Sequence, residues 1–121
     1  MLAKDILKVL DAKCLYLADE SLLEKNYDYC FATDLMSDAL AMINNHNESL
    51  VFVTGLANPQ AFQTAMMLDI DFIIFVRNKK NDEVLIETAK ELGYNVFKCS
   101  RSMFDTCAIL GQEGIKGLDI N

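Results

Sequence analysis

At 121 residues the chain is long enough for one domain with an ordinary hydrophobic core, without metal or disulfide staples. A hydrophobic content of 52 % excludes intrinsic disorder, and no apolar run reaches the roughly 18 residues of a membrane span. Eleven basic against eighteen acidic side chains, a formal charge of -7, argue against non-specific binding to nucleic acid or anionic lipid.

Met1 to Asp5 lacks the basic region and apolar segment of a secretory leader, so the expected location is the cytoplasm. Ala3 to Leu10 reads as a short amphipathic helix, with Ile6, Leu7 and Leu10 at helical spacing. Cys14 to Leu17 is a candidate strand, and Asp19 to Asp28 a polar connection. Tyr29 to Ala32 reads as a second strand. Thr33-Asp34 can cap a helix running to about Ile43, its inward stripe being Leu35, Ala39, Leu40 and Ile43.

Leu50 to Thr54 is apolar on both faces, as a parallel strand covered by helices must be. Asn58 is a good helix cap and Pro59 a good first helical residue. The helix they open runs to Leu68 and is expected to pack through Ala61, Phe62, Ala65 and Met66 or Met67. Phe72 to Val76 is the strongest strand of the chain. Asn81 then caps a helix whose end fits Gly93, with Asp82, Glu83 and Lys90 placed to suit its dipole. Asn95 to Cys99 is the next strand, and Ser102 opens a last helix to about Leu110. Gly111, Gly114 and Gly117 mark the tail for turns. Nothing divides the chain, so residues 1–121 read as a single α/β domain.

In open parallel sheets, ligands bind outside the carboxyl ends of the strands. Here that edge collects Thr33, Asp34, Ser37 and Asp38 from one connection and Thr54, Gly55 and Asn58 from the next. Arg77, Asn78 and Lys79 come from the third, and Ser100, Arg101 and Ser102 from the fourth. Arg77 is the best single candidate to grip a phosphate or carboxylate, because its fork reaches two oxygens at once. A structural ion pair with Asp34 or Asp38 is the competing reading.

Neither GxxxxGK[ST] nor GxGxxG is present, which speaks against a phosphotransferase or a dinucleotide fold. Cys14, Cys30, Cys99 and Cys107 form no CxxC pair. Three of them lie in or beside apolar runs, so core thiols are expected ahead of a metal or redox role. His46 lies in a polar turn away from this edge, and no Ser-His-Asp or Cys-His set can be assembled.

Two segments carry a resemblance. Phe31-Ala32-Thr33-Asp34-Leu35-Met36-Ser37-Asp38-Ala39-Leu40-Ala41, and Val53-Thr54-Gly55-Leu56 through Thr64-Ala65 to Phe75-Val76-Arg77, resemble the small stand-alone proteins of the DRTGG-domain family. The similarity runs from about Ile6 to Leu118. Such domains also occur as accessory modules in some phosphotransacetylases and inorganic pyrophosphatases. Their fold is similar to the amino-terminal domain of HPr kinase/phosphorylase, whose catalytic phosphate-loop domain lies outside the matched part. The resemblance implies a three-layer α/β sandwich with a mainly parallel sheet of four to five strands, self-association and a regulatory role. The motifs that name the family are absent, the positions reading Gly55-Leu56-Ala57-Asn58 and Val76-Arg77-Asn78.

The leading expectation is a non-catalytic sensing module that binds a small anionic metabolite or nucleotide, with no cofactor named. The second is a homodimeric interaction protein serving a partner enzyme, which six Met and seven Phe mildly favour. The third is an enzyme that holds a metal ion such as Mg²⁺ between Asp34 and Asp38.

Overall fold

The computed structural model describes residues 1–43, 49–77 and 82–118. The chain runs α1 (Ala3–Val9), β1 (Lys13–Tyr16), a 3-10 turn (Glu20–Glu24), β2 (Tyr29–Ala32), α2 (Met36–Met42) and β3 (Leu50–Thr54). It continues as α3 (Pro59–Met67), β4 (Phe72–Phe75), α4 (Asp82–Leu92), β5 (Asn95–Lys98), α5 (Met103–Gln112) and β6 (Lys116–Gly117). The strands form one sheet in the order β1-β5-β4-β3-β2-β6. From β5 to β6 all neighbours are parallel, with Tyr29 opposite Leu50, Val51 opposite Phe72, and Phe72 opposite Asn95. β1 pairs antiparallel with β5 at the far edge.

Every residue of β3 and β4 is buried, because helices cover both faces of the sheet. The two-residue period of a strand survives in the choice of layer. Val51, Val53, Phe72, Ile74 and Phe97 turn toward Ala3, Ile6 and Leu10 of the α1 segment and Leu110 of α5. Leu50, Phe52, Ile73, Phe75 and Val96 turn the other way. They meet Met36 and Ala39 of α2, Ala61, Phe62 and Ala65 of α3, and Leu85 and Ala89 of α4. The result is a three-layer sandwich. Crossovers from β2 to β5 step in one direction across the sheet, so a constant handedness puts α2, α3 and α4 on one face.

Several expectations need correction. Among the described residues the sheet has six strands rather than four to five. The additional one, β6, comes from the glycine-marked tail: Gly111 lies inside α5, Gly114 turns the chain at φ 96°, and Gly117 pairs with Cys30. Two residues carry no periodicity by which to announce a strand. Helix α2 starts at Met36 and buries Met36, Ala39 and Ile43, leaving Leu35 and Leu40 57 % and 44 % exposed. On α3 the inward place falls to Thr64, and Met66 and Met67 face outward. Among the thiols only Cys99 is fully buried. Cys14 is exposed, while Cys30 and Cys107 are half-buried.

Other signals hold. Asn58 accepts from the Gln60 N–H with Pro59 as the first helical residue, and Ser102 accepts from the Asp105 N–H. Gly93 takes φ 72° directly after α4. The Asn81 cap and His46 lie outside the described residues. No helix among the described residues is long and apolar enough to cross a membrane.

Candidate functional site

Parallel pairing continues one step past each strand and fixes where the connections start. The Thr33 N–H donates to the Val53 carbonyl (3.1 Å), Val76 N–H to Thr54 (3.0 Å) and Cys99 N–H to Phe75 (2.8 Å). The Arg77 N–H then donates to the carbonyl of Arg101 at 2.9 Å. The exits from β2, β3, β4 and β5 are thereby stitched into a common rim.

On this rim the chain holds Arg77 in a left-handed conformation, φ 69°, which a side chain with a Cβ rarely adopts. The guanidinium reaches across to Asp34, with Nη2 2.6 Å from Oδ2. The other carboxylate oxygen, Oδ1, accepts the Gly55 N–H at 2.6 Å. Gly55 is buried, and the guanidinium lies against it so closely that a Cβ there would overlap it. The tight strand exit expected at Thr54-Gly55 therefore has a more specific cause: the missing side chain is the seat of the Arg77 head group.

Asp34 is consequently not the helix cap that its position predicts. Helix α2 starts without a side-chain cap, and the Leu35 N–H donates to Thr33 Oγ1 (3.0 Å) instead. A carboxylate offered an arginine and a backbone N–H gains stronger, charge-assisted bonds across the rim than at its own helix end. The buried Thr54 hydroxyl accepts from the Leu56 N–H at 3.1 Å and shapes the turn toward the Asn58 cap. Ser37, Asp38 and Ser100 are exposed on the same edge of the sheet. Lys79 and Asn78 lie outside the described residues.

The site residues thus fall into groups. Asp34, Gly55 and Arg77 form one contact, Thr33, Thr54 and Asn58 set the backbone around it, and the remaining described ones line the edge. The Arg77–Asp34 pair named as the competing reading is present. Both partners remain about two-fifths exposed. Among the described residues, no group of three or more His, Cys, Asp or Glu side chains could hold a metal ion.

Comparison with protein-family models gives no match, and comparison with curated proteins gives none either. Among solved structures, the chain is similar to the CBS and DRTGG domains of the regulatory region of Clostridium perfringens pyrophosphatase, complexed with its activator diadenosine tetraphosphate. The TM-score is 0.66 at 17 % identity, over 94 % of this chain and 50 % of that one. The fold is DRTGG-like. This chain spans half the length of its structural relative, and at this identity the likeness concerns the backbone architecture alone.

Proposed function

We propose that this protein is a non-catalytic sensing module that binds a small anionic ligand, such as a phosphorylated metabolite or nucleotide, on the rim around Arg77. The observation that carries the reading is the Arg77 guanidinium, fixed over Gly55 by Asp34 on a side chain that stays about two-fifths exposed. A fork held in place beforehand loses little freedom when an oxyanion arrives. An ion pair this exposed contributes only about 0–1 kcal/mol, so a ligand can share the guanidinium with Asp34 at small cost. The left-handed backbone at Arg77 supports the same reading, since conformations of this kind gather at binding and switch positions. A DRTGG-like fold, found in a regulatory region that is complexed with a nucleotide activator, agrees with a regulatory role.

The test is a thermal-shift screen of nucleotides and phosphorylated metabolites, with and without Mg²⁺, run in parallel on wild type and Arg77→Ala. A specific ligand raises the melting temperature in proportion to its occupancy. A compound that stabilises wild type and leaves Arg77→Ala unmoved is the expected outcome. If every compound shifts both proteins equally, the rim is not the site.

A second reading, homodimerisation or docking to a partner enzyme, draws on a different surface. Leu40 and Met42 of α2 and Met66 and Met67 of α3 are exposed on two helices that pack against each other, Met67 by 73 %. Sedimentation at micromolar concentration tests it: a single monomeric species would remove the homodimer.

A further inference from the structure

The two half-buried cysteines belong together. Cys30 is the second residue of β2, and Cys107 lies midway along α5, the helix that packs on that strand. Each thiol is the largest influence on how the other titrates. Both line a cavity of about 200 Å³ whose walls include Ala32, Leu110, Ile115 and Lys116.

The influence is unequal. The neighbouring Cys30 thiol brings the Cys107 thiol down from 9.0 to about 7 against the opposing effect of its own burial. Cys30 moves the opposite way, held in its protonated form by the neighbouring Cys107 sulfur and then by desolvation. The remaining thiols lack such a partner sulfur. Burial raises Cys14 on the edge strand. Cys99 is enclosed in the core, where its Sγ donates to the Leu10 carbonyl at 3.6 Å.

We propose that Cys30 and Cys107 form a dithiol site that a hydroperoxide oxidises to an intramolecular disulfide, with Cys107 attacking and Cys30 resolving. The cavity gives a small oxidant access to the sulfur that is nucleophilic near neutral pH. In the first step the Cys107 thiolate attacks one peroxide oxygen and the O–O bond breaks. The departing alkoxide takes up the proton released by the thiol, and Cys107 is left as a sulfenic acid. In the second step the Cys30 sulfur displaces the sulfenic oxygen. The S–S bond forms as the S–O bond breaks, the Cys30 proton joins the departing hydroxide, and water leaves. Two thiols are oxidised and one hydroperoxide is reduced to an alcohol and water. The new bond ties α5 to the strand whose exit carries Thr33 and Asp34, and it requires nothing of the anion reading.

The experiment is peroxide titration of the reduced full chain at pH 7, followed by intact mass measurement and peptide mapping. At one equivalent of hydrogen peroxide the expected product has lost two hydrogens, carries a linked Cys30–Cys107 peptide and keeps Cys14 reduced. Cys30→Ser is expected to stop at a Cys107 sulfenic acid that a cyclic 1,3-diketone traps, and Cys107→Ser to leave Cys30 unoxidised. Oxidation of Cys14 first, or sulfinic acid on Cys107 of wild type without the linked peptide, overturns the proposal. Should either variant fail to fold, iodoacetamide labelling of wild type across pH decides. Cys107 must react faster than the more exposed Cys14 at pH 7, with a midpoint near 7, and the reverse order refutes the site.

Discussion

The Arg77 guanidinium occupies the space that a side chain at Gly55 would need. The atoms in the way are the far end of a flexible chain, so a methyl group can push them aside without disturbing the sheet. Nor does Gly55 use the left-handed backbone that would strain an alanine. Gly55→Ala is therefore expected to fold, losing about 1 kcal/mol or less with the exposed Asp34–Arg77 pair. It should abolish the ligand-dependent thermal shift as completely as Arg77→Ala does. A Gly55→Ala protein that keeps the shift would show that the seat of Arg77 is irrelevant to binding.

The backbone at Arg77 allows stability and binding to be separated. Alanine at this position keeps the unfavourable φ of 69° and loses the ion pair, whereas glycine loses the pair but accepts the conformation. Arg77→Gly should thus be more stable than Arg77→Ala by about 1 kcal/mol. Both should lack the ligand response. Urea denaturation of the two variants gives the difference directly, and equal midpoints would mean that the left-handed turn stores no strain.

Much of the architecture is legible in the sequence because it rests on local physics. Asn58-Pro59 opens α3, Ser102 opens α5, Gly93 closes α4, and the unbroken apolar runs of β3 and β4 announce strands covered on both sides. The carboxyl-edge rule likewise gathers Asp34, Gly55 and Arg77 from the sequence alone. What escapes is decided by tertiary contacts. Asp34 leaves its helix end for an arginine forty-three positions away, which shifts the start of α2 and exposes Leu35. Tyr27, in a stretch that reads as a polar connection, is fully buried because its hydroxyl meets Asp71. The Cys30–Cys107 juxtaposition has no sequence signal, since the two residues come to line one cavity only when α5 lies down on β2.

Tyr27 makes a pH dependence predictable. Its hydroxyl donates to Asp71 Oδ1 at 2.9 Å, and desolvation, reinforced by the charge of Asp71, pushes it far above the ordinary 10.0. Tyr94, which donates to the Ile70 carbonyl at 2.7 Å, is raised to about 12, again by desolvation first. The unfolded chain releases these protons above pH 10 while the folded chain retains them. Their contribution to stability is therefore intact below pH 10 and falls as pH rises beyond it, by up to about 1.4 kcal/mol per pH unit for each group. Tyr27→Phe should lower stability at pH 8 by about 1 kcal/mol and flatten the decline above pH 10. Urea midpoints between pH 8 and 11 check both, and an unchanged alkaline slope in the variant would assign the decline to lysines instead.

Asn95 is a single buried side chain on which two distant backbone groups depend. Its Oδ1 accepts the N–H groups of Ala18 (2.8 Å) and Asp19 (2.9 Å), anchoring the chain that leaves the antiparallel edge strand to the start of β5. β1 reaches the sheet from α1 without a crossover, and its pairing slips between Cys14 and Tyr16. The edge therefore needs a fixing point beyond its own ladder. Asn95→Leu keeps the branched shape but strands two partly buried donors, each of which costs about 1–3 kcal/mol when left unpaired. The expected loss is about 2–4 kcal/mol, with early amide exchange through residues 13–19. Asn95→Asp retains an acceptor for both N–H groups and should recover most of that loss at neutral pH. Equal destabilisation by Leu and Asp would show that the amide nitrogen, rather than the shared oxygen, holds the edge in place.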